Sequence, residues 1–276
     1  RYIHEAALSG ANLAVLPEYH LGELPPPEGA SDSEIRQTCT HWQEYLQAYC
    51  LLARELRICI VPGSFAELRP SSGATEDQKT ETVVNATYFI DHNGNILGRY
   101  EKKNLWHPER GFVTAGTGEP HRAFDTPLGK VGLLTCWDLA FPEAFRELVS
   151  QGAKMVIIPS FWKMNDAGDV GKKRNPASEK IFMESALMSR AFENTCAVVY
   201  CNAGGPADDG FAGCSQVTVP FLGCVGRIGS SEEAVKIIEV DMDVIDEAES
   251  VYKIRQDIAS PSWHYSLSSR TAPKIK

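Results

Sequence analysis

The sequence lacks long apolar stretches, internal repeats and flexible linkers. None of its apolar segments approaches the roughly 20 residues that cross a bilayer, although 43% of the 276 residues are hydrophobic. No self-similar period indicates a repeat array, and no Ser/Gly-rich linker divides the chain. These absences predict a soluble protein in which residues 1–276 form a single domain.

Positive charge is scarce. The chain has 27 Lys and Arg residues against 36 Asp and Glu residues, which gives a formal net charge of -9. A molecule with this balance repels phosphate backbones and anionic lipid surfaces. Nucleic acids and membranes are therefore not expected partners.

The sequence also lacks the motifs of metal and nucleotide sites. Its eight cysteines include no C-x-x-C pair, which argues against a zinc site and a disulfide scaffold. No glycine-rich phosphate loop precedes a helix. We expect reduced thiols, a cytoplasmic location and no cofactor. The chain begins with Arg1 rather than methionine, so we expect a native N-terminal segment before it, which leaves an export signal open.

Short apolar runs alternate with segments of helical periodicity. Several runs are almost wholly apolar, which is typical of strands covered on both faces. The runs predict strands at residues 11–16, 58–61, 83–90, 131–135, 155–158, 197–200, 217–221 and 235–240. Helical spacing predicts helices over residues 42–56, 141–149 and 181–192. This alternation predicts an α/β layered fold.

Local signals refine the helices and loops. A short helix is predicted near the start of the chain, with Gly10 as its stop. Asn175 and Pro176 are predicted as the cap and first turn of the third of the long helices. Segments 24–33, 69–81 and 163–175 are predicted as surface loops, and the last of them carries the basic run 172–174.

Three predicted strands end in residues that can carry chemistry. The first runs into Glu18 and Tyr19, another into Cys136, and the next into Phe161 and Trp162. Ligands of open α/β sheets bind at the carboxyl ends of strands, because the loops converge there. An acid, a thiol and an aromatic wall are therefore expected at one site.

Cys136 is the candidate nucleophile. It follows a strand and precedes a helix, which is the position of a sharp turn that presents a nucleophile. A thiol with a pKa of about 8.5 needs a base or a cation to attack at neutral pH. Glu18 is the candidate base and Lys102 the candidate cation, while a histidine base at His107 or His264 stays an alternative. The usual role of a free cysteine is that of a small buried hydrophobe, and we assign it to Cys39, Cys50, Cys59, Cys196, Cys201, Cys214 and Cys224.

Three separated segments resemble those of the nitrilase superfamily, the carbon-nitrogen hydrolases. They are AVLPEYH at 14–20, GRYEKKNLWHPE at 98–109 and GLLTCWDLAFPEAFREL at 132–148. Each carries one member of the family's Glu-Lys-Cys triad in the family's chain order, at Glu18, Lys102 and Cys136. Segments 152–162 and 190–205 resemble family blocks as well. Matched blocks in the correct order are a more specific signal than any single short motif.

The resemblance implies an enzyme that hydrolyses a non-peptide carbon-nitrogen bond and needs no metal or cofactor. Cys136 would attack the carbonyl carbon of a small amide and form a thioester, with Glu18 as general acid and base. Lys102 and the backbone N–H of Trp137 would stabilise the oxyanion. Glu109 resembles the family's additional acid and is expected to orient Lys102 or the substrate.

The resemblance also implies the fold and the assembly. It predicts a four-layer α-β-β-α sandwich that forms one carbon-nitrogen hydrolase domain and assembles as a homodimer or higher homo-oligomer. Residues 257–276 are expected to form a terminal arm, in which Trp263 and Tyr265 anchor on a neighbouring surface or on the same subunit. The strand that precedes the first helix in family members is absent from this sequence. The pocket wall is expected to comprise Tyr19, Trp106, Trp137, Phe161, Trp162 and Asn202.

The residues that follow the nucleophile leave the substrate open. Nitrile-cleaving members usually have Cys-Trp-Glu and many amide-cleaving members have Cys-Tyr-Asp, whereas this chain has Trp137 and Asp138. Asn104 stands where histidine is common. An amide is the preferred substrate, with a nitrile or an N-carbamoyl compound as the alternative. Asp138 is expected to cap the following helix. An inactive binding module is least favoured, because all three triad positions are filled.

Overall fold

Two β-sheets form the centre of the structure, which is a computed structural model that describes residues 1–21, 31–70 and 81–267. The first sheet has the strand order β1-β2-β4-β3, with β5 paired to β4. Its strands are β1 (Leu13–Val15), β2 (Cys59–Val61), β3 (Ser64–Pro70), β4 (Glu81–Ile90) and β5 (Ile96–Glu101). Only β1 and β2 run parallel; the other pairs in this sheet are antiparallel.

The second sheet has the strand order β11-β10-β9-β8-β7-β6. Its strands are β6 (Ala123–Thr126), β7 (Gly129–Leu133), β8 (Met155–Ser160), β9 (Ala197–Asn202), β10 (Gln216–Val219) and β11 (Gly223–Arg227). The central strands β7, β8 and β9 are parallel. This arrangement places the carboxyl ends of β7 and β8 side by side.

Helices cover the outer faces of both sheets. They are α1 (Tyr2–Leu8), α2 (Asp32–Thr38), α3 (Trp42–Leu56), α4 (Pro142–Ser150), α5 (Gly168–Arg174), α6 (Ser178–Asn194), α7 (Asp243–Tyr252) and α8 (Ile254–Ala259). Helix α3 packs against the first sheet, and α6 packs against the second. Local signals fix their ends: Ser31 and Glu34 form a capping box before α2, and Arg57 ends α3 in the left-handed conformation.

The alternation of buried side chains shows how the layers stack. Cys59 and Val61 of β2 belong to a core shared with the second sheet, whereas Ile60 between them faces a separate core under α1 and α3. Phe89 of β4 likewise faces inward, between residues that face α3. A period of two means that both faces of the first sheet are buried. The predicted four-layer α-β-β-α sandwich is therefore confirmed.

Most predicted strands exist, but one is wrong. Residues 235–240 form no strand, although Ile238 and Val240 pack on the core. Their apolar side chains report partial burial, whereas a strand also needs a hydrogen-bonded ladder, and no described strand pairs with this segment. The spacing missed β3, β5, β6 and β11, which carry fewer consecutive apolar residues.

The start of α6 and the basic run also differ from the prediction. Helix α6 begins at Ser178, and the Asn175 side chain accepts a hydrogen bond from the Ala177 N–H at 2.9 Å in the turn before it. Pro176 therefore lies outside the helix. The run 172–174 occupies the last turn of α5, where cations are favoured by the helix dipole, so segment 163–175 is not wholly a loop.

The remaining predicted loops and the terminal arm fall partly outside the described residues. The structure does not describe residues 22–30, 71–80 and 268–276. Most of the predicted loops 24–33 and 69–81 and the last part of the predicted arm therefore lie outside the described residues. Residue 257 belongs to α8 rather than to an arm. Trp263 packs against the core of its own chain, and the guanidinium of Arg146 lies 5.9 Å from its ring centroid.

Candidate active site

Cys136 lies at a sharp turn just beyond β7. That strand ends at Leu133, and Cys136 opens a short 3-10 helix, Cys136–Ala140. Its φ angle is +48°, a left-handed conformation that non-glycine residues rarely adopt. Such strain is often found at functional sites, because the surrounding structure must hold it in place. The thiol lines a small cavity at the carboxyl ends of the strands.

Glu18 follows β1 and is completely enclosed. One carboxylate oxygen accepts hydrogen bonds from Lys102 Nζ at 2.9 Å and from Asn85 Nδ2 at 2.8 Å. The other oxygen accepts the Phe161 N–H at 2.9 Å. These bonds connect the ends of β1 and β8 across the two sheets. The carboxylate is thereby fixed beside Cys136, with which it shares the cavity.

Lys102 comes directly after β5, and its side chain is 1% exposed. Its ammonium lies 2.9 Å from a carboxylate oxygen of Glu18 and 2.6 Å from one of Glu109. A buried ammonium without partners would be strongly disfavoured. Here the two carboxylates compensate for the burial of the ammonium and hold it in the cavity.

Glu109 lies in a second 3-10 helix, His107–Gly111. Besides Lys102, its carboxylate accepts the Tyr19 hydroxyl at 2.9 Å and the Trp106 N–H at 2.8 Å. Tyr19, like Cys136, has a positive φ angle, of +54°. The structure therefore brings Glu109 and Tyr19 into the same buried network as Glu18 and Lys102.

Burial and mutual charge shift the pKa values of these groups. Burial raises the pKa of Glu18, although the ammonium of Lys102 opposes this. Burial raises the pKa of the Cys136 thiol well above its ordinary value, Glu18 adds to the rise, and Lys102 opposes it. Burial acts to lower the pKa of Lys102, but Glu18, Cys136 and Glu109 outweigh it and raise that pKa. Lys102 therefore stays charged at neutral pH, and the thiol needs a base.

The cavity is narrow and largely aromatic. Its volume, taken as the space open to the centre of a water molecule, is about 40 Å³, and one water molecule needs roughly 10–15 Å³ of such space. The predicted wall residues Tyr19, Trp106, Trp137, Phe161 and Trp162 all line it. The rings of Trp137 and Trp106 are 4.6 Å apart between centroids, and those of Trp137 and Trp162 are 5.2 Å apart.

Asn202 does not line the cavity. Its side-chain oxygen accepts the Trp162 N–H at 2.8 Å, and its amide nitrogen donates to the carbonyls of Trp162 at 2.9 Å and Gly213 at 2.8 Å. Asn202 thus holds the backbone that carries Trp162. The Trp162 indole also donates to Glu179 at 2.5 Å.

Asp138 is fully buried behind the nucleophile. Its carboxylate accepts the backbone N–H of Thr135 at 2.9 Å, the Tyr100 hydroxyl at 2.8 Å and the Asn104 side-chain amide at 2.8 Å. It closes the capping box at the start of the 3-10 helix that contains Cys136. Asp138 therefore fixes the turn on which the thiol lies, and Asn104 is one of its partners.

Sequence reasoning missed three residues of the site. Asn85 lies in the middle of β4 and donates to Glu18. Ser160 ends β8 and opposes the rise in the pKa of the Cys136 thiol. Asp166 lines the cavity. A buried Asn within an apolar strand was the one available signal, and nothing in the spacing marks Ser160 or Asp166.

The two histidines of the alternative mechanism lie elsewhere. His107 and His264 are both exposed, and neither lines the cavity.

The described residues hold no group of three or more His, Cys, Asp or Glu side chains that could bind a metal ion. What the cavity offers is a thiol, a carboxyl group beside it and a fixed ammonium, which is a set suited to acyl transfer. Among the described residues, no helix combines the length and the apolar character that crossing a bilayer requires.

The fold and this set of side chains define a carbon-nitrogen hydrolase of the α-β-β-α type. The chain belongs to the carbon-nitrogen hydrolase family, because the sequence profile of that family matches residues 1–250. The predicted resemblance to the nitrilase superfamily is thereby confirmed.

Individual relatives agree with this assignment. The chain is 30% identical over 169 residues to a probable nitrilase of Schizosaccharomyces pombe, which covers 61% of this chain and 57% of that protein. It is 32% identical over 256 residues to an (R)-stereoselective amidase of a Pseudomonas species. This match covers 89% of this chain and 79% of the amidase. The structure of a carbon-nitrogen hydrolase from Helicobacter pylori G27 superimposes on this one with a TM-score of 0.76 at 22% identity. The superposition covers 92% of this chain and 87% of the other.

Proposed function

We propose that this protein is an amidase that hydrolyses a small non-peptide amide through a thioester on Cys136. The observation that carries the proposal is the cluster in which one buried ammonium, Lys102, bonds to Glu18 and Glu109 within the cavity that Cys136 lines. Each group suits one role in acyl transfer. The narrow cavity favours a short substrate.

In the acylation half, Glu18 removes the proton of the Cys136 thiol, and the sulfur attacks the carbonyl carbon. The carbonyl oxygen becomes an oxyanion that the Lys102 ammonium stabilises together with the Trp137 N–H, which lies in the first turn of a helix where backbone donors lack helical partners. Glu18 then passes its proton to the leaving nitrogen. The C–N bond breaks, ammonia or an amine departs, and a thioester remains.

In the deacylation half, Glu18 takes a proton from a water molecule, and the resulting hydroxide attacks the thioester carbon. The C–S bond breaks, the acid product leaves, and the sulfur regains its proton. The raised pKa of Glu18 suits a group that both accepts and donates a proton within one cycle. Asn85 and the Phe161 N–H hold the carboxylate in place during both halves.

The named relatives support an amide over a nitrile. Matches that span most of this chain include the (R)-stereoselective amidase and an N-carbamoylputrescine amidase of Arabidopsis thaliana, which covers 89% of the chain. The relative named a probable nitrilase covers 61%. Trp137 favours a nitrile and Asp138 an amide. We therefore take a nitrile or an N-carbamoyl amide as the second candidate.

Release of ammonia together with intact mass tests this function. The wild-type protein is incubated with a panel of short amides, N-carbamoyl amino acids and nitriles, and an acyl adduct is sought on Cys136 after acid quenching. We expect ammonia from at least one amide, and no turnover from Cys136→Ala or Lys102→Met. Cys50→Ala is the matched control, because Cys50 lies on α3 and does not line the cavity.

Two results would overturn the assignment. One is turnover at the wild-type rate in a folded Cys136→Ala protein. The other is an adduct located on a different cysteine. A wild-type protein that binds amides but releases no ammonia and forms no adduct would instead favour a binding module.

We also propose that the chain forms one hydrolase domain, acts in the cytoplasm and assembles as a homodimer. Every cysteine of the described residues is unpaired, which suits a reducing compartment. Four large apolar side chains are exposed together: Met188 at 40%, Phe221 at 40%, Leu222 at 66% and Tyr252 at 42%. The rings of Phe221 and Tyr252 are 5.3 Å apart. A second copy of the chain is the occupant we propose for this apolar patch.

A further inference from the structure

Asp166 lines the same cavity as Lys102 and carries the opposite charge. Its place in the site was not predicted from the sequence. It lies between the end of β8 and the start of α5. Its Oδ2 atom accepts the Lys163 N–H at 2.9 Å, and its own N–H donates to the Lys163 carbonyl at 3.2 Å. Within the described residues, Oδ1 has no hydrogen-bond partner. A tight turn thus holds a carboxylate with one oxygen unused.

Among the described residues, carboxyl groups outnumber cations at the cavity. The described lining holds the carboxyl groups of Glu18, Glu109 and Asp166 and the ammonium of Lys102. Lys102 is already bonded to Glu18 and Glu109. Within the described lining, Asp166 is therefore the charged residue that lies outside this cluster.

No described cation forms an ion pair with Asp166, although the charges of Lys163 and Lys102 act on it. The ammonium of Lys163 lies over the rings of Phe161 and Phe211, at 5.2 Å and 4.6 Å from their centroids, and does not line the cavity. Glu179 on α6 is a further acid near Asp166 and is bonded to the Trp162 indole. Within the described lining, no cation pairs with Asp166, and a bound cation would supply that partner.

The walls also suit a cation. The faces of aromatic rings carry partial negative charge, and tryptophan attracts cations most strongly. Trp106, Trp137 and Trp162 line the cavity together with Phe161. An ammonium group between these rings and Asp166 would find both a charged acceptor and ring faces.

We propose that Asp166 determines specificity by binding an ammonium group at the end of the substrate remote from the amide that Cys136 attacks. The substrate class is then a short aliphatic amide with a terminal amine. This inference rests on the proposed amidase function and deepens it. Substrates with a terminal carboxylate are disfavoured, because they would place a second negative charge beside Asp166.

The protonation state of Asp166 is compatible with this role. Burial raises the pKa of Asp166 to about 6, and Glu179 adds to the rise, while the Lys163 N–H, the Lys163 ammonium and Lys102 oppose it. At neutral pH the group is mostly ionised, and a bound ammonium favours the ionised form further.

Isosteric amides test the inference. Initial rates of ammonia release are measured for β-alaninamide, butyramide and succinamate, which carry an ammonium, a methyl group and a carboxylate at one chain length. 4-Aminobutyramide, pentanamide and glutaramate repeat the comparison with one more methylene group. We expect kcat/KM to fall in the order ammonium, methyl, carboxylate, with the first step about tenfold or more in at least one length series.

Asp166→Asn isolates the charge, because asparagine keeps an oxygen for the Lys163 N–H. We expect the ratio of kcat/KM for the amine-bearing amide to that for its methyl isostere to fall at least tenfold, mainly through KM. Asp169→Asn is the matched control, since Asp169 is an exposed aspartate three residues along that does not line the cavity. Thermal unfolding of all variants checks the fold.

The outcomes separate this inference from the amidase function. Hydrolysis of the methyl or carboxylate amides at equal or higher kcat/KM than the amine-bearing amides would overturn the specificity and leave the amidase function standing. An unchanged ratio in folded Asp166→Asn would do the same. Failure of the wild-type protein to release ammonia from any amide in the panel would overturn both.

Discussion

The ammonium of Lys102 lies 2.6 Å from a carboxylate oxygen of Glu109, seven residues further along the chain. β5 ends just before Lys102, and Glu109 lies in the 3-10 helix that follows, so the chain folds back on itself to make this contact. The same carboxylate accepts the Tyr19 hydroxyl and the Trp106 N–H. Glu109 is therefore held by three hydrogen-bond donors, one of which is the Lys102 ammonium that it positions.

Glu109→Gln tests whether this contact positions the ammonium. The substitution removes the charge and keeps the shape, so we expect the fold to persist and kcat to fall about ten- to hundredfold, because small misplacement of a catalytic group is costly. KM should change less than kcat. Glu119→Gln is the control, since the Glu119 side chain is 68% exposed, pairs with Arg122 on the surface and does not line the cavity. An unchanged kcat in Glu109→Gln would show that Glu18 alone suffices to hold Lys102.

The pH dependence of turnover tests the role of Glu18. A general base must be ionised to accept a proton, and burial raises the pKa of Glu18 above the ordinary 4.5. Activity should therefore be present above that raised pKa and be lost as the pH falls through it. We expect the acid limb of kcat/KM to have its midpoint above pH 4.5, with a tenfold loss per pH unit below it. Steady kcat/KM down to that pH in folded protein would contradict the assignment.

The position of the candidate site was largely predictable from the sequence, because the ends of the apolar strands could be located in it. Glu18, Cys136 and Phe161 each follow an apolar run, and parallel strands place such residues at one edge of a sheet. Lys102 was different. It follows β5, a strand in which Ile96 is exposed and Tyr100 is buried, so its weak apolar pattern gave no strand. The basic pair 102–103 offered a cation, and the resemblance to the family selected Lys102 rather than Lys103.

The parts that sequence reasoning missed depend on contacts between distant segments. Asn202 was expected in the pocket wall, but it bonds to the backbone at Trp162, which is 40 residues away. Asp166 lines the cavity only because a turn after β8 directs the chain back toward it. Residues 235–240 are rich in apolar side chains, as a strand would be, and yet pair with none of the described strands. Local periodicity reports burial, and it carries no information about which partner provides it.

The rival thiol-histidine mechanism makes a clear prediction. His107 and His264 are exposed and do not line the cavity, so neither reaches the position of a base for Cys136. We expect the double variant His107→Ala and His264→Ala to keep kcat/KM within about threefold of wild type, because neither imidazole lines the cavity. Loss of turnover in this variant with its fold intact would favour a histidine base and remove Glu18 from that role.

Assembly can be tested at the apolar patch formed by Met188, Phe221, Leu222 and Tyr252. A charge in the middle of a contact between copies is strongly disfavoured, because it loses water without gaining a partner. We expect sedimentation velocity to show a dimer for the wild-type protein and a monomer for Leu222→Glu. Leu51→Glu introduces the same charge at a leucine that is 51% exposed on α3 and should leave the dimer intact. A Leu222→Glu dimer would move the interface elsewhere.

Protein stability should depend on the protonation of His20, which lies behind the cavity on the side of α3. Its Nε2 atom is 2.6 Å from the Tyr49 hydroxyl, and its ring packs on Phe65. Burial lowers the pKa of His20 from 6.5 to about 4. Between these two pKa values the unfolded chain binds a proton that the folded chain does not. The free energy of unfolding therefore rises with pH across this window, and the His20 contribution to it is lost as the pH falls.

The size of this effect can be measured by urea unfolding. From pH 7 to pH 5 the His20 contribution to the free energy of unfolding should drop by up to about 2 kcal/mol. We expect His20→Gln to lose that part of the pH dependence, since glutamine does not titrate, whereas His4→Gln, at an exposed histidine of α1, should keep it. If the His20→Gln protein shows the same difference between pH 5 and pH 7 as wild type, another group controls acid stability. Because His20 lies two residues from Glu18, any acid-induced opening at this point would also loosen the candidate base, so unfolding and kcat/KM should be followed in the same buffers.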